Sequence, residues 1–167
     1  RRMERLVEDL MRLSRIEADK FRLPSTRVDL AGLAREVCDA LALQHGDRGH
    51  DVVLTAADDL PDVTGDRVQL SQLLHNLVGN AIDAMPNGGT LTISSRMVGG
   101  EVEIAITDSG TGMTDEVKRR CFEPFFTTKG SRGTGIGLAA TKATIERHGG
   151  NIALETALGI GTTFTVR

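Results

Sequence analysis

Asp66-Arg67-Val68-Gln69-Leu70-Ser71-Gln72-Leu73-Leu74-His75-Asn76-Leu77-Val78-Gly79-Asn80-Ala81-Ile82-Asp83 is the run that decides the fold. Val68, Leu70, Leu73, Leu74, Leu77, Val78, Ala81 and Ile82 recur at helical spacing and form one broad apolar face. Asp66 stands where an N-cap belongs, and Met85-Pro86-Asn87-Gly88-Gly89 stops the pattern. Two runs of period two follow, Thr90 to Met97 and Glu101 to Thr107, joined by Gly99-Gly100. That is a β-hairpin. A long amphipathic helix beside a hairpin with one apolar face has an obvious surface to cover.

Further along, the pattern repeats. A short helix is expected around Asp115 to Arg120, and residues 123–134 read as irregular. A helix covers Gly137 to Arg147 and is stopped by Gly149-Gly150. Two strands, Ile152 to Glu155 and Thr162 to Val166, are joined by a turn with Gly159 and Gly161. Toward the N-terminus, Val28-Asp29-Leu30 reads as a short strand, with Asp29 as the cap of a helix from Leu30 to Leu43. Gln44 to His50 reads as loop and Val52-Val53-Leu54 as strand. The sum is an α+β fold, a two-layer sandwich of a mixed, mostly antiparallel sheet covered by helices on one face.

Residues 1–20 read as a further helix. Met3, Leu6, Leu10 and Leu13 follow a 3-4-3 seam, widened by Val7 and Ile16. Such a helix needs a partner, either its own domain or a second chain. Pro24-Ser25 breaks it, which divides the chain into residues 1–22 and 23–167.

The composition excludes several classes. The chain has 167 residues, 40% hydrophobic and 26% charged, so it can build a core. A net charge of −3 and only five Phe, with no Trp or Tyr, argue against a nucleic-acid partner. No apolar run reaches the roughly 20 residues of a membrane helix, and Arg1-Arg2-Met3-Glu4 does not open a signal peptide. Cys38 and Cys121 have no metal or redox spacing and read as free thiols of a reducing compartment. Glycine is in excess: ten of nineteen fall from Gly110 onward, in clusters that suggest close approach to a ligand.

Three clusters carry possible chemistry. Asn76, Asn80 and Asp83 share one helix face, and an amide oxygen suits Mg²⁺, which keeps most of its waters and rides on phosphates. The plain alternative is a solvated polar face. Asp108-Ser109-Gly110-Thr111-Gly112-Met113 sits where the second hairpin strand ends. Its carboxylate can accept from an exocyclic amine while the glycines let a flat ring approach. A common turn is the alternative there. Gly133-Thr134-Gly135-Ile136-Gly137-Leu138 runs straight into a helix, and free amides at a helix start make a phosphate cradle. Gly135-Ile-Gly137-Leu-Ala-Ala140 also fits a dinucleotide pattern, but the polar run Thr127 to Arg132 replaces the buried strand that pattern needs.

In this order, joined by Phe122-Glu123-Pro124-Phe125-Phe126 and followed by Gly159-Ile-Gly161-Thr162, the clusters resemble the sensor histidine kinases of two-component systems. Their catalytic domain shares the Bergerat-type fold of gyrase, Hsp90 and MutL. The resemblance implies an N box at Asn76 to Asp83, a G1 box at Asp108 to Gly112, an F box at Phe122 to Phe126 and a G2 box at Gly133 to Gly137. It implies Mg-ATP as ligand. Asn80 would bind Mg²⁺, with Asp83 beside it, and Asp108 would bind the adenine amine with Thr162 near. Gly110 and Gly112 would admit the ring, and Gly133, Thr134, Gly135, Gly137 and Leu138 would hold the phosphates. Lys129, with Arg132, would meet the γ-phosphate from a lid.

Asn76 takes the place where hydrolysing members carry a Glu base. An amide cannot accept that proton, which favours a phosphotransferase over a free-standing ATPase. A non-catalytic nucleotide-binding scaffold is the other alternative, disfavoured by complete boxes. Residues 1–20 resemble the end of the second dimerisation helix. None of His45, His50, His75 and His148 fits the acceptor motif, so the phosphorylated histidine is expected outside this chain. The implied partners are ATP and ADP, a response-regulator receiver domain and a second copy through the dimerisation helices. The domain is expected in the cytoplasm, and the sequence leaves open an inner-membrane anchor for the full protein.

Overall fold

The computed structural model describes residues 7, 11, 26–45, 49–57, 60–130 and 133–167. Among the described residues from Thr26 onward, seven strands and four helices follow in order: β1 (Thr26–Val28), α1 (Leu30–His45), β2 (His50–Ala56), β3 (Val63–Gly65), α2 (Arg67–Asp83), β4 (Gly89–Val98), β5 (Glu101–Asp108), α3 (Asp115–Arg120), α4 (Gly137–Arg147), β6 (Ile152–Ala157) and β7 (Gly161–Val166). The main sheet runs β2-β4-β5-β7-β6; β2 pairs parallel with β4 and the other pairs are antiparallel.

Alternation divides the sheet into two faces. Leu91, Ile93, Ile104, Ile106 and Phe164 point to the helices and are buried. They share one core with Leu33 and Val37 of α1, Leu70, Leu73, Leu74, Leu77, Val78, Ala81 and Ile82 of α2, and Ile145 of α4. The intervening residues face away from the helices: Arg96, Glu103, Ala105, Thr107, Thr163 and Thr165 share the opposite face through strand register. On that face Glu103 is 3% exposed because Arg96 and Arg167 lie over it, at 2.6 and 2.7 Å. Their hydrogen bonds hold its carboxyl below the usual carboxylate range.

The helix ends follow from local chemistry. Asp66 caps α2, accepting from the backbone N–H of Val68 and Gln69. The Asp29 carboxylate accepts from Gly32 N–H at 2.9 Å at the start of α1. His148, just past α4, accepts from Asp66 N–H through Nε2 at 3.0 Å and donates from Nδ1 to Thr144 O at 2.7 Å. That imidazole ties the end of α4 to the cap of α2.

The α+β sandwich is as the sequence indicates, and the differences are at the periphery. β1 begins at Thr26 and Leu30 already belongs to α1, which continues to His45 through residues read as loop. β3 escaped the sequence reading, because three residues with one apolar side chain carry no period. It pairs with β1 in a separate two-stranded sheet. Cys38 and Cys121 are buried free thiols, and burial, with Asp39 adding to it, pushes Cys38 up to about 11. Of the N-terminal helix, Val7 and Met11 are described, helical and exposed. The seam Met3, Leu6, Leu10, Leu13 and the division at residue 22 lie outside the described residues, as do Arg132 and the His45 side chain. No helix among the described residues is long and apolar enough to cross a membrane.

Candidate functional site

A cavity of about 570 Å³ opens between the C-terminal half of α2, the loop after β5, the start of α4 and β7. That volume suits a nucleotide-sized ligand. At its inner end Asp108 is 4% exposed, carried there by β5. Register sets Thr162 of β7 directly beside it, and both line the wall. Burial pushes the Asp108 carboxyl up, while the backbone N–H groups of Gly110 and Thr162 pull it back. The Asp108 carboxylate accepts from Gly110 N–H at 2.9 Å.

The loop after β5 is held by backbone contacts. Thr111 N–H donates to Ala84 O at 3.0 Å and Gly159 N–H donates to Thr111 O at 2.8 Å. Gly112 has φ +63, and a Cβ there would stand 2.0 Å from the Ala157 carbonyl oxygen. Only glycine lets this loop lie flat against the β6–β7 turn. Gly110 has a similar constraint: its missing side chain makes room for the Ala84 carbonyl, 2.5 Å from an added Cβ. Its clearance serves backbone packing beside the cavity.

At the opposite end, one helical turn of α2 presents Asn80 and Asp83. Lys129 reaches across from the loop before α4 and donates to Asn80 Oδ1 at 2.7 Å and Asp83 Oδ2 at 2.6 Å. Two hard oxygens thus already hold a cation there. Between the two ends lies the start of α4. Ile136 is its N-cap residue and provides no side-chain cap, so the positive end of the helix has no side-chain acceptor where Gly135, Gly137 and Leu138 line the cavity. Gly135, at φ +70, is pinned by Phe125 N–H donating to its carbonyl at 2.9 Å.

Residues 65–167 match the family described as histidine kinase-, DNA gyrase B- and HSP90-like ATPases. The chain belongs to that family. Its relatives include the sensor histidine kinase ZraS of Escherichia coli, 34% identical over 99% of this chain and 34% of the relative, and the histidine protein kinase DivJ of Caulobacter vibrioides, 32% identical over 97% of this chain and 28% of the relative. The chain therefore spans about a third of the length of these curated relatives. Among solved structures, full-length ShkA in complex with AMPPNP superposes with a TM-score of 0.85, at 28% identity over 96% of this chain and 34% of that one. The nucleotide-free catalytic domain of histidine kinase ThkA gives 0.74, at 34% identity over 84% of this chain and 92% of that one. The chain is thus an ATP-binding catalytic domain of the histidine kinase type.

The fold of this ATPase-family domain brings Asn80, Asp83, Asp108, Gly112, Lys129, Gly133, Thr134, Gly135, Gly137, Leu138 and Thr162 around one cavity. Asn76 turns elsewhere. Its Nδ2 donates to Gly137 O at 3.3 Å and Thr141 Oγ1 at 3.4 Å, and its Oδ1 accepts from Gln72 Nε2 at 3.3 Å. It fastens α2 to the first turn of α4. The sequence reading passed over Val117, Leu158 and Phe164, and assigned no apolar lining to Met113 and Phe126, though all five line the cavity. A leucine next to Gly159 in a turn, Leu158, was the available signal, and the structure leaves it exposed.

Proposed function

We propose that this domain binds Mg-ATP and passes the γ-phosphoryl group to a histidine on another segment, from which it moves to an aspartate of a receiver domain. The observation that carries the reading is the polarity of the cavity. A buried acceptor, Asp108, closes one end, and a cation held by Asn80 and Asp83 marks the other. The uncapped start of α4 lies along the wall between. Adenine fits the first, phosphates the second and third.

The oxygen pair of Asn80 and Asp83 fits a hard divalent cation bound chiefly through phosphates and water. Among the described residues no group of three or more His, Cys, Asp or Glu could hold a metal by itself, which suits a cation that arrives with the nucleotide. When bound, Mg²⁺ would supply neutralisation of the charge on the phosphates. The protein's own part is positioning. Asp108 and Thr162 orient the base, the α4 amides hold phosphate oxygens, and Lys129 is within reach to exchange its two oxygens for the γ-phosphate.

Asn76 supports transfer over hydrolysis. Its amide can take no proton, and both its ends are already bonded within the fold. Residues 1–22 are read as part of a dimerisation hairpin that pairs two copies. His148 has both ring nitrogens bonded and His50 Nε2–H donates to Met85 O at 2.9 Å, which supports an acceptor outside this chain.

The test is titration with ATP with and without Mg²⁺, followed by radiolabelled ATP with a histidine-bearing dimerisation hairpin added in trans. Tighter binding with Mg²⁺ and acid-labile, base-stable label on the hairpin are expected. Release of free phosphate at the same rate with no hairpin label would favour an ATPase and overturn the reading.

A further inference from the structure

Thr156, on β6, stands behind the cavity wall, and its hydroxyl meets three groups. Met113 N–H donates to it at 3.0 Å, the Gly161 carbonyl accepts from it at 3.0 Å, and the Thr162 hydroxyl lies 3.0 Å away. A threonine hydroxyl has one proton and two lone pairs. The Met113 amide can only donate and the Gly161 carbonyl can only accept. One lone pair of Thr156 then remains, and the Thr162 hydroxyl fills it by donating. All three positions on the Thr156 oxygen are used.

The consequence falls on Thr162. Its single proton is committed to Thr156, so it turns only lone pairs toward the cavity. Beside it on β5 stands Asp108, its register partner, whose carboxylate also only accepts when ionised. Gly110 N–H is satisfied by that carboxylate and faces it, not the cavity. The inner wall therefore presents acceptors side by side.

We propose that Thr156 is a specificity-setting positioning residue: by taking the Thr162 proton it makes the base-reading wall acceptor-only. A purine whose edge carries an amino group offers two N–H donors to such a wall. A purine with a carbonyl at the same position sets that oxygen's lone pairs against the wall and keeps only its N1–H to donate, so it is disfavoured. Thr156 acts through Thr162 and touches no ligand. The Met113 bond adds a second consequence, because Met113 also lines the cavity. One hydroxyl thus ties the loop after β5 to the wall on β7. This inference rests on the nucleotide reading above.

The experiment compares Mg-ATP with Mg-ITP, its 6-oxo counterpart, in the parent, T156V and T156S, by competition binding and by transfer to an added hairpin. T156V keeps the shape and removes the hydroxyl, so the Thr162 proton is free to turn into the cavity. The ATP-over-ITP binding ratio is expected to fall about tenfold, the size of one hydrogen-bond mismatch. Transfer at saturating ATP should change less than about twofold, because the phosphate end is untouched. T156S should restore the parent ratio. A T156V protein folded by circular dichroism with an unchanged ratio overturns the proposal, as does T156S losing the ratio equally. Should T156V not fold, T156A, which also removes the hydroxyl, is read in the same way. A parent that binds neither purine overturns both this proposal and the nucleotide reading. A parent that prefers ATP beside a T156V of unchanged ratio overturns this one alone.

Discussion

The ammonium of Lys129 stands 2.7 Å from Asn80 Oδ1 and 2.6 Å from Asp83 Oδ2. The loop ahead of α4 is therefore tied to α2 by the two oxygens that the proposed function gives to a divalent cation. Asp83 is 56% and Lys129 35% exposed on their side chains, so the pair is screened and adds little to stability. Its meaning is electrostatic. Two acceptor oxygens face one positive charge there, and under the proposed function a divalent cation would take the place of Lys129.

Asn80→Ala should separate metal from nucleotide. Removing the amide oxygen leaves Asp108 and the α4 amides intact, so affinity for metal-free ATP should change little. The gain in affinity on adding Mg²⁺ should fall about tenfold or more, equivalent to roughly 1.4 kcal/mol. Calorimetric titration with and without Mg²⁺ checks this. An undiminished Mg²⁺ gain in the variant would remove Asn80 from the metal's coordination.

Asp108→Asn should trade function against stability. Burial raises the Asp108 pKa in the folded protein. A carboxyl harder to ionise folded than unfolded helps the folded state below its unfolded value, about 4. That help is lost as pH rises from there through the folded value. The variant carries no such loss, so its stability relative to the parent should climb across this window and then level. ATP affinity should meanwhile drop about tenfold, since an acceptor has become partly a donor. Urea unfolding at several pH values reads the first effect; parallel pH profiles would contradict it.

Two glycines should respond in opposite directions to alanine. Gly112→Ala meets the Ala157 carbonyl at 2.0 Å in a left-handed backbone, and should cost about 2 kcal/mol or more. Gly79 lies inside α2 with nothing within 4 Å of an added Cβ. Gly79→Ala should therefore stabilise by up to about 1 kcal/mol through helix propensity. Equal denaturation midpoints for the two variants would refute the contrast.

The sequence discloses what periodicity and punctuation can encode. α2 is legible because its seven buried residues repeat at helical spacing behind the Asp66 cap, and the β4–β5 hairpin because Gly99-Gly100 interrupts strict alternation. β2 is legible as a strand, but its parallel register with β4 depends on long-range packing that no local signal carries. The candidate site is legible where residue type limits chemistry, as at Asn80, Asp108 and the glycine loop. It is not legible at Thr156, an ordinary strand threonine whose importance arises from three partners met only in the fold. Asn76 shows the reverse. Its place in the motif suggests chemistry, while its hydrogen bonds run to α4.

Asn76→Asp tests that last point with almost no change of shape. The amide Nδ2 donates to Gly137 O and Thr141 Oγ1. An ionised carboxyl in its place has nothing to donate and sets a negative charge against the Gly137 carbonyl. The first turn of α4, to which the proposed function gives the phosphates, would lose its fastening to α2. A cost of about 1–3 kcal/mol is expected at neutral pH, the range for a bonded group left facing the wrong partner. The introduced carboxyl can regain a donor by taking up a proton, so its pKa should be higher folded than unfolded. Its penalty should therefore be smallest below the ordinary carboxylate range and grow as pH rises through the folded value. Thermal unfolding of parent and variant between pH 4 and pH 8 reads this directly (both limits on the order of the carboxylate range and beyond it). A variant with parent-like stability at every pH but no phosphoryl transfer would assign Asn76 a direct part in the chemistry and end its reading as a fastening between two helices.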